Sequence, residues 1–109
     1  MRLTIEHIEK EMAGEGLAPR ALADFRIFLA ALYSLRAGEM QRILGKKPSV
    51  WLDMRRESNS DKATDREWQA TQDGSRETQL KWELRRIDKL SGAIATKLRV
   101  MEGEARNQY

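Results

Sequence analysis

The chain has no cysteine and a single histidine, and only three Trp, two Tyr and two Phe in 109 residues. Without cysteine there is no disulfide, no thiol nucleophile and no thiolate metal ligand. His7 has no second imidazole with which to build a zinc site. Its partner by spacing is Glu11, one helical turn on, and the pair reads as a surface contact on one helix face. Proline is scarce as well, with only Pro19 and Pro48. No apolar run approaches the ~20 residues needed to span a bilayer. The opening MRLTIEHIEK is charged from its start and lacks the apolar core of a signal peptide, so a cytoplasmic setting is expected. The phosphate-loop, dinucleotide-binding, nucleophile-elbow and H-E-x-x-H patterns are all absent. Carboxylates alternate with basic residues, as in Glu9-Lys10-Glu11 and Asp65-Arg66-Glu67, an arrangement that solubilises helix faces and does not separate two carboxyl pKa values. The expectation is a non-enzyme with no cofactor and no metal.

What the chain does have is charge of both signs in near balance. Residues 1–45 carry six Lys/Arg and six Asp/Glu, and residues 46–75 carry six of each again. Residues 76–109 carry eight and five, so the whole net charge of +3 lies in the last third. A balance this close does not produce the self-repulsion of a disordered chain. The core is nonetheless thin, since Leu, Ile, Val and Phe together number 22. A short chain with a thin core is commonly completed by self-association, and a homodimer is expected.

The strongest pattern lies near the C-terminus. Leu80, Leu84, Ile87, Ser91, Ile94, Leu98 and Met101 follow one another at steps of four and three, the seam of a helix that packs lengthwise on another. Upstream, Thr4 caps a short helix over residues 4–13, which ends at Gly14-Glu15-Gly16. Pro19 suits the first turn of a long helix over 19–44. Its apolar stripe is Phe25, Phe28, Leu29, Leu32, Leu35, Ile43 and Leu44. Gly45 ends that helix, and Pro48 starts a connector over 48–63 that holds a short helical turn around Val50, Trp51, Leu52 and Met54. Residues 56–62 read as a mobile loop. Thr64-Asp65-Arg66-Glu67 fits a capping box and starts the last helix, over 65–104, loosened near Asp73-Gly74. The fold class is therefore all-α: a single domain of antiparallel long-helix hairpin with a short N-terminal helix, coiled-coil-like and completed by dimerisation. Neither long stripe is satisfied by one partner, so a second hairpin or the N-terminal helix has to cover the remainder.

One surface has distinctive chemistry. With Leu84, Ser91 and Leu98 on the seam, Trp82 and Lys89 fall on the opposite side, flanked by Lys81, Arg85 and Arg86. Trp68 lies two heptads before Trp82 and shares its line if the helix stays regular. A flat aromatic among cations suits nucleic acid, where phosphates meet the charges and a base stacks on the ring. It equally suits an acidic protein surface, where Trp and Arg are favoured anchors. The alternative is that a third helix simply buries Trp82. Ser91-Gly92-Ala93 places three small residues together and invites a close helix crossing or a dimer axis. Trp51 reads as a plug at the connector end, with Lys46-Lys47 and Arg55-Arg56 as solvated ends first and phosphate contacts second.

The segments TDREWQATQDGSRE and LRVMEGEARNQY resemble small helical proteins encoded in phage and prophage genomes. That resemblance covers residues 60–109 and implies an accessory role, such as blocking a host defence complex or assisting nucleic-acid handling. It carries over no functional residue. The functional expectation is a binding protein that docks on a protein or nucleoprotein partner. Direct DNA or RNA binding and a purely structural oligomer are the alternatives.

Overall fold

The computed structural model describes residues 2–107, with side chains through Arg106. Four helices follow in order: α1 (Ile5–Ala13), α2 (Pro19–Glu57), α3 (Asp61–Ala70) and α4 (Gln72–Asn107), with no strand among the described residues. The long helices α2 and α4 pack on each other as an antiparallel hairpin. The chain divides into two compact units, one formed by residues up to Ser34 together with Arg85 onward, the other by Leu35–Leu84. Each unit is a three-helix arrangement, because a different short helix covers the hairpin in each.

In the first unit that cover is α1. The Thr4 hydroxyl accepts the His7 amide at 3.0 Å and the Gly14 amide closes the last turn on the Glu11 carbonyl at 3.1 Å, so both expected ends hold. Gly16 then takes φ +83°, a backbone conformation that side chains with a Cβ rarely adopt, and turns the chain into α2. Ile5 and Ile8 of α1 join Leu22, Phe25 and Leu29 of α2 and Ile87 and Ile94 of α4 in one buried cluster. His7 sets its ring edge-on to Phe25, with centroids 6.2 Å apart.

In the second unit the cover is α3, and here the helix boundaries differ from the sequence expectation. Helix α2 does not stop at Leu44; it passes through Gly45 and Pro48 to Glu57. An interior proline removes one helical hydrogen bond and crowds the carbonyl four residues back, a cost of about 3 kcal/mol. Pro48 and Leu44 both lie on the solvent side, where that carbonyl can turn to water. Continuing the helix is also what keeps Met40, Ile43, Trp51 and Met54 on one face against Trp68 and Leu80. The expected connector shrinks to Ser58-Asn59-Ser60. Arg55 holds this bend: its Nε donates to Asp61 at 2.7 Å and its Nη1 to the Ser58 carbonyl at 2.9 Å.

The helix after the bend starts at Asp61, capped by the Ser60 hydroxyl on the Ala63 amide at 3.1 Å. The expected Thr64–Glu67 capping box is therefore not formed. Thr64 lies inside α3, fully buried, and its hydroxyl donates to the Ser60 carbonyl at 2.9 Å. Two stripe residues also fall outside the core: Leu35 is 68% exposed, and Leu44 is exposed as well. On α4 the seam is real but uneven. Leu80, Ile87 and Ile94, each seven residues apart, are buried, whereas Leu84, Ser91, Leu98 and Met101 are half-buried.

Candidate functional site

The expected loosening near Gly74 is a full break three residues earlier, and it decides which way Trp68 points. Thr71 ends α3 and starts α4. Its amide and its hydroxyl both donate to the Trp68 carbonyl, at 3.0 and 2.6 Å, and the same hydroxyl accepts the Gly74 amide at 3.0 Å. A Cβ on Gly74 would overlap the Trp68 carbonyl, so the turn is closed by a backbone approach that only glycine allows. The regular register between Trp68 and Trp82 is lost at this turn. Trp68 is not on the outer line: it is 3% exposed and belongs to the core of the second unit.

There it meets a buried carboxylate. Glu77 is 5% exposed, and its Oε1 accepts the Trp68 indole N–H at 3.1 Å. The Lys47 ammonium stands 3.0 Å from Oε1, and the Lys81 ammonium 3.1 Å from Oε2. Lys47 also sits over the Trp68 ring, 5.5 Å from its centroid, where the ring quadrupole attracts a cation. Burial by itself pushes the Glu77 carboxyl upward, but hydrogen bonds from Lys47, Lys81 and Trp68 outweigh it and hold the pKa below its ordinary value. The carboxylate is thus fixed in its ionised form by groups of the protein itself.

The remaining expected residues all lie on α4. Lys81 and Trp82 lie in the second unit; Lys81 is committed to Glu77, and Trp82 is 62% exposed. Arg85, Arg86 and Lys89 lie in the first unit. Arg86 reaches back to α1, with Nη2 at 2.5 Å from Glu9 and 3.4 Å from Glu6, so it ties α1 to α4. Its guanidinium is held above its ordinary pKa chiefly by the Glu9 hydrogen bond. Arg85 and Lys89 are exposed. Gly92 and Ala93 are exposed and Ser91 half-buried, and a Cβ on Gly92 would meet nothing within 4 Å. Among the described residues, the close backbone approach expected at Ser91-Gly92-Ala93 is therefore not made at Gly92, whereas such an approach is made at Gly74. Among the described residues, no group of three or more His, Asp or Glu is placed to hold a metal ion.

Two surfaces of the second unit group residues that the sequence pattern did not place together. Lys47, Pro48, Trp51 and Leu52 line a shallow apolar groove of about 430 Å³ on α2. The i, i+4 spacing of Pro48 and Leu52 was the available signal, hidden because the helix was expected to stop before it. Trp51, expected as a plug at a connector, lies inside α2, half-buried, and donates its indole N–H to Asp65 at 2.9 Å. Separately, Arg42, Lys46 and Arg76 converge on a polar cleft of about 550 Å³. No protein-family model, no curated protein and no solved structure matches this chain.

Proposed function

We propose that this chain is a non-catalytic helical binding protein that docks on a protein partner through the second unit, with Trp82 as an anchor. The observation that carries the reading is the exposure of Trp82, 62% against 3% for Trp68, on a chain with only three tryptophans. Large aromatic side chains on a solvent-facing helix are the usual hot spots of interfaces. Protein docking is favoured over nucleic acid at this place because Trp68 has left the line and Lys81 is engaged by Glu77. The mechanism is occlusion or scaffolding, and the resemblance to phage and prophage proteins supports an accessory role, such as blocking a host complex. Self-association into a homodimer belongs to the same reading, and a purely structural oligomer is its limiting case.

The test is solution mass across protein concentration, with Trp fluorescence read for the natural chain and for Trp82→Phe. In the protein-docking reading, the red-shifted part of the emission disappears in Trp82→Phe and does not respond to single-stranded or duplex DNA. Quenching by DNA that is reversed by salt, and lost in Trp82→Phe, would assign the face to nucleic acid instead. A stable dimer with uniformly blue-shifted emission would place Trp82 in self-contact.

A further inference from the structure

The polar cleft of the second unit is built from two turns of α2 and the first turns of α4, and its cations outnumber its carboxylates. Arg42 and Lys46 stand one turn apart on α2, both exposed, and Arg76 faces them from α4. Arg76 is not a loose surface side chain. Glu39 grips it with two hydrogen bonds, Nε to Oε1 at 2.9 Å and Nη2 to Oε2 at 2.8 Å, and Gln79 accepts from Nη1 at 3.3 Å. A guanidinium oriented in advance loses little side-chain freedom when an anion arrives. The Glu39 charge is already balanced by Arg76, which leaves Arg42 and Lys46 as the cations presented to a ligand. Asp73, the second carboxylate, sits in the first turn of α4, where the helix dipole offsets negative charge. The cleft volume of about 550 Å³ lies in the range of small-molecule sites, and buried Ile43 supplies an apolar wall.

We propose that this cleft binds a phosphate ester group, with Arg42 and Lys46 contacting its oxygens and Arg76, held by Glu39, offering its remaining N–H groups as pre-oriented donors. A tetrahedral anion suits the arrangement better than a carboxylate, because its oxygens diverge toward cations that come from two helices. The group can come from a free nucleotide or from a nucleic-acid backbone, which share this chemistry.

The test uses the full chain, labelled with ¹⁵N, and three probes: inorganic phosphate, adenosine monophosphate and a short oligothymidylate. The expected result is saturable movement of the Ser75 and Arg76 amide signals, with about tenfold weaker binding in an Arg42→Ala/Lys46→Ala variant. Both substituted residues are exposed, so an unchanged melting temperature accompanies that loss. Saturation by the mononucleotide assigns the site to free phosphate esters; saturation by the oligonucleotide alone, weakening as salt rises, assigns it to a backbone phosphate. Absence of saturable movement with all three probes, or equal affinity in the double variant, overturns the proposal. Trp82 does not line the cleft, so Trp82→Ala binds these probes as the natural chain does, and the docking reading stands or falls separately.

Discussion

The first unit buries Ile5, Ile8, Leu22, Phe25, Leu29, Ile87 and Ile94, all apolar, whereas the second buries Trp68, Ile43 and Leu80 beside Glu77 and Thr64. Both meet the same need, which is to cover the open side of an α2–α4 pair with a short helix. An aliphatic layer holds by area alone and tolerates small shifts of α1. The indole–carboxylate–diammonium cluster holds only in one arrangement, because the buried Trp68 indole and Glu77 carboxylate must keep their partners in a water-poor place. The first unit should therefore yield to lost volume, and the second to lost geometry.

The largest expected effect follows from that contrast. Gly74→Ala drives a Cβ into the Trp68 carbonyl, and the clash falls on backbone that cannot rotate away. We expect a loss of about 3 kcal/mol or more, the upper range for overpacking, with the loss concentrated in the second unit. Amide hydrogen exchange reads this directly: protection collapses in α3 while α1 stays protected. Equal loss across both units would mean that they unfold together and that the difference in core chemistry has no separate consequence.

Much of this architecture was legible in the chain. The Thr4 cap, the helical period and the buried positions 80, 87 and 94 are local or periodic signals, and periodicity survives folding. The second unit was harder because two local signals pointed wrongly. Pro48 marks a helix end in isolation, yet the burial of Met40, Ile43, Trp51 and Met54 on one continuous face outweighs its cost. Thr64-x-x-Glu67 has the residues of a capping box, yet Ser60 four residues earlier takes the cap. The break at Thr71 then turned Trp68 inward, a tertiary outcome with no spacing rule behind it. Of the expected binding face, Lys81, Trp82, Arg85 and Lys89 are exposed and Arg86 is half-buried, and Lys81 and Arg86 make ion pairs with Glu77 and Glu9.

The second expected effect is the pH response of the buried carboxylate. Burial opposes ionisation of Glu77, but Lys47, Lys81 and the Trp68 indole together leave its folded pKa below the ordinary 4.5. The folded chain therefore binds fewer protons at this group than the unfolded chain does in that range. The resulting stability is fully present above about pH 4.5 and is lost as pH falls through the depressed value. Glu77→Gln should cost about 2 kcal/mol at neutral pH, since it leaves the half-buried Lys47 ammonium facing an amide, while the exposed Lys81 can turn to water. It should also flatten the acid limb of a melting-temperature profile in α3. The limb would stay unchanged if the acid sensitivity arose instead from Glu39, whose carboxyl is held low chiefly by its hydrogen bond to Arg76. A matching Glu39→Gln profile separates the two.

The smallest expected effect returns to glycine, and its sign carries the information. Gly92 lies within α4 in the first unit, exposed, with open space where a Cβ would go. For an isolated chain, Gly92→Ala should stabilise by about 1 kcal/mol, because alanine restricts the unfolded backbone and favours the helix. That corresponds to a rise of roughly 4 °C in melting temperature for a domain of this size. The proposed homodimer reverses the sign if Ser91-Gly92-Ala93 forms its crossing, because the added methyl then holds two backbones apart. The melting temperature would fall, and fall most at high protein concentration, where the dimer is populated. A concentration-independent rise places any dimer contact away from Gly92. The surface to examine next would then be the Trp82 face of the second unit, where the same substitution has no effect.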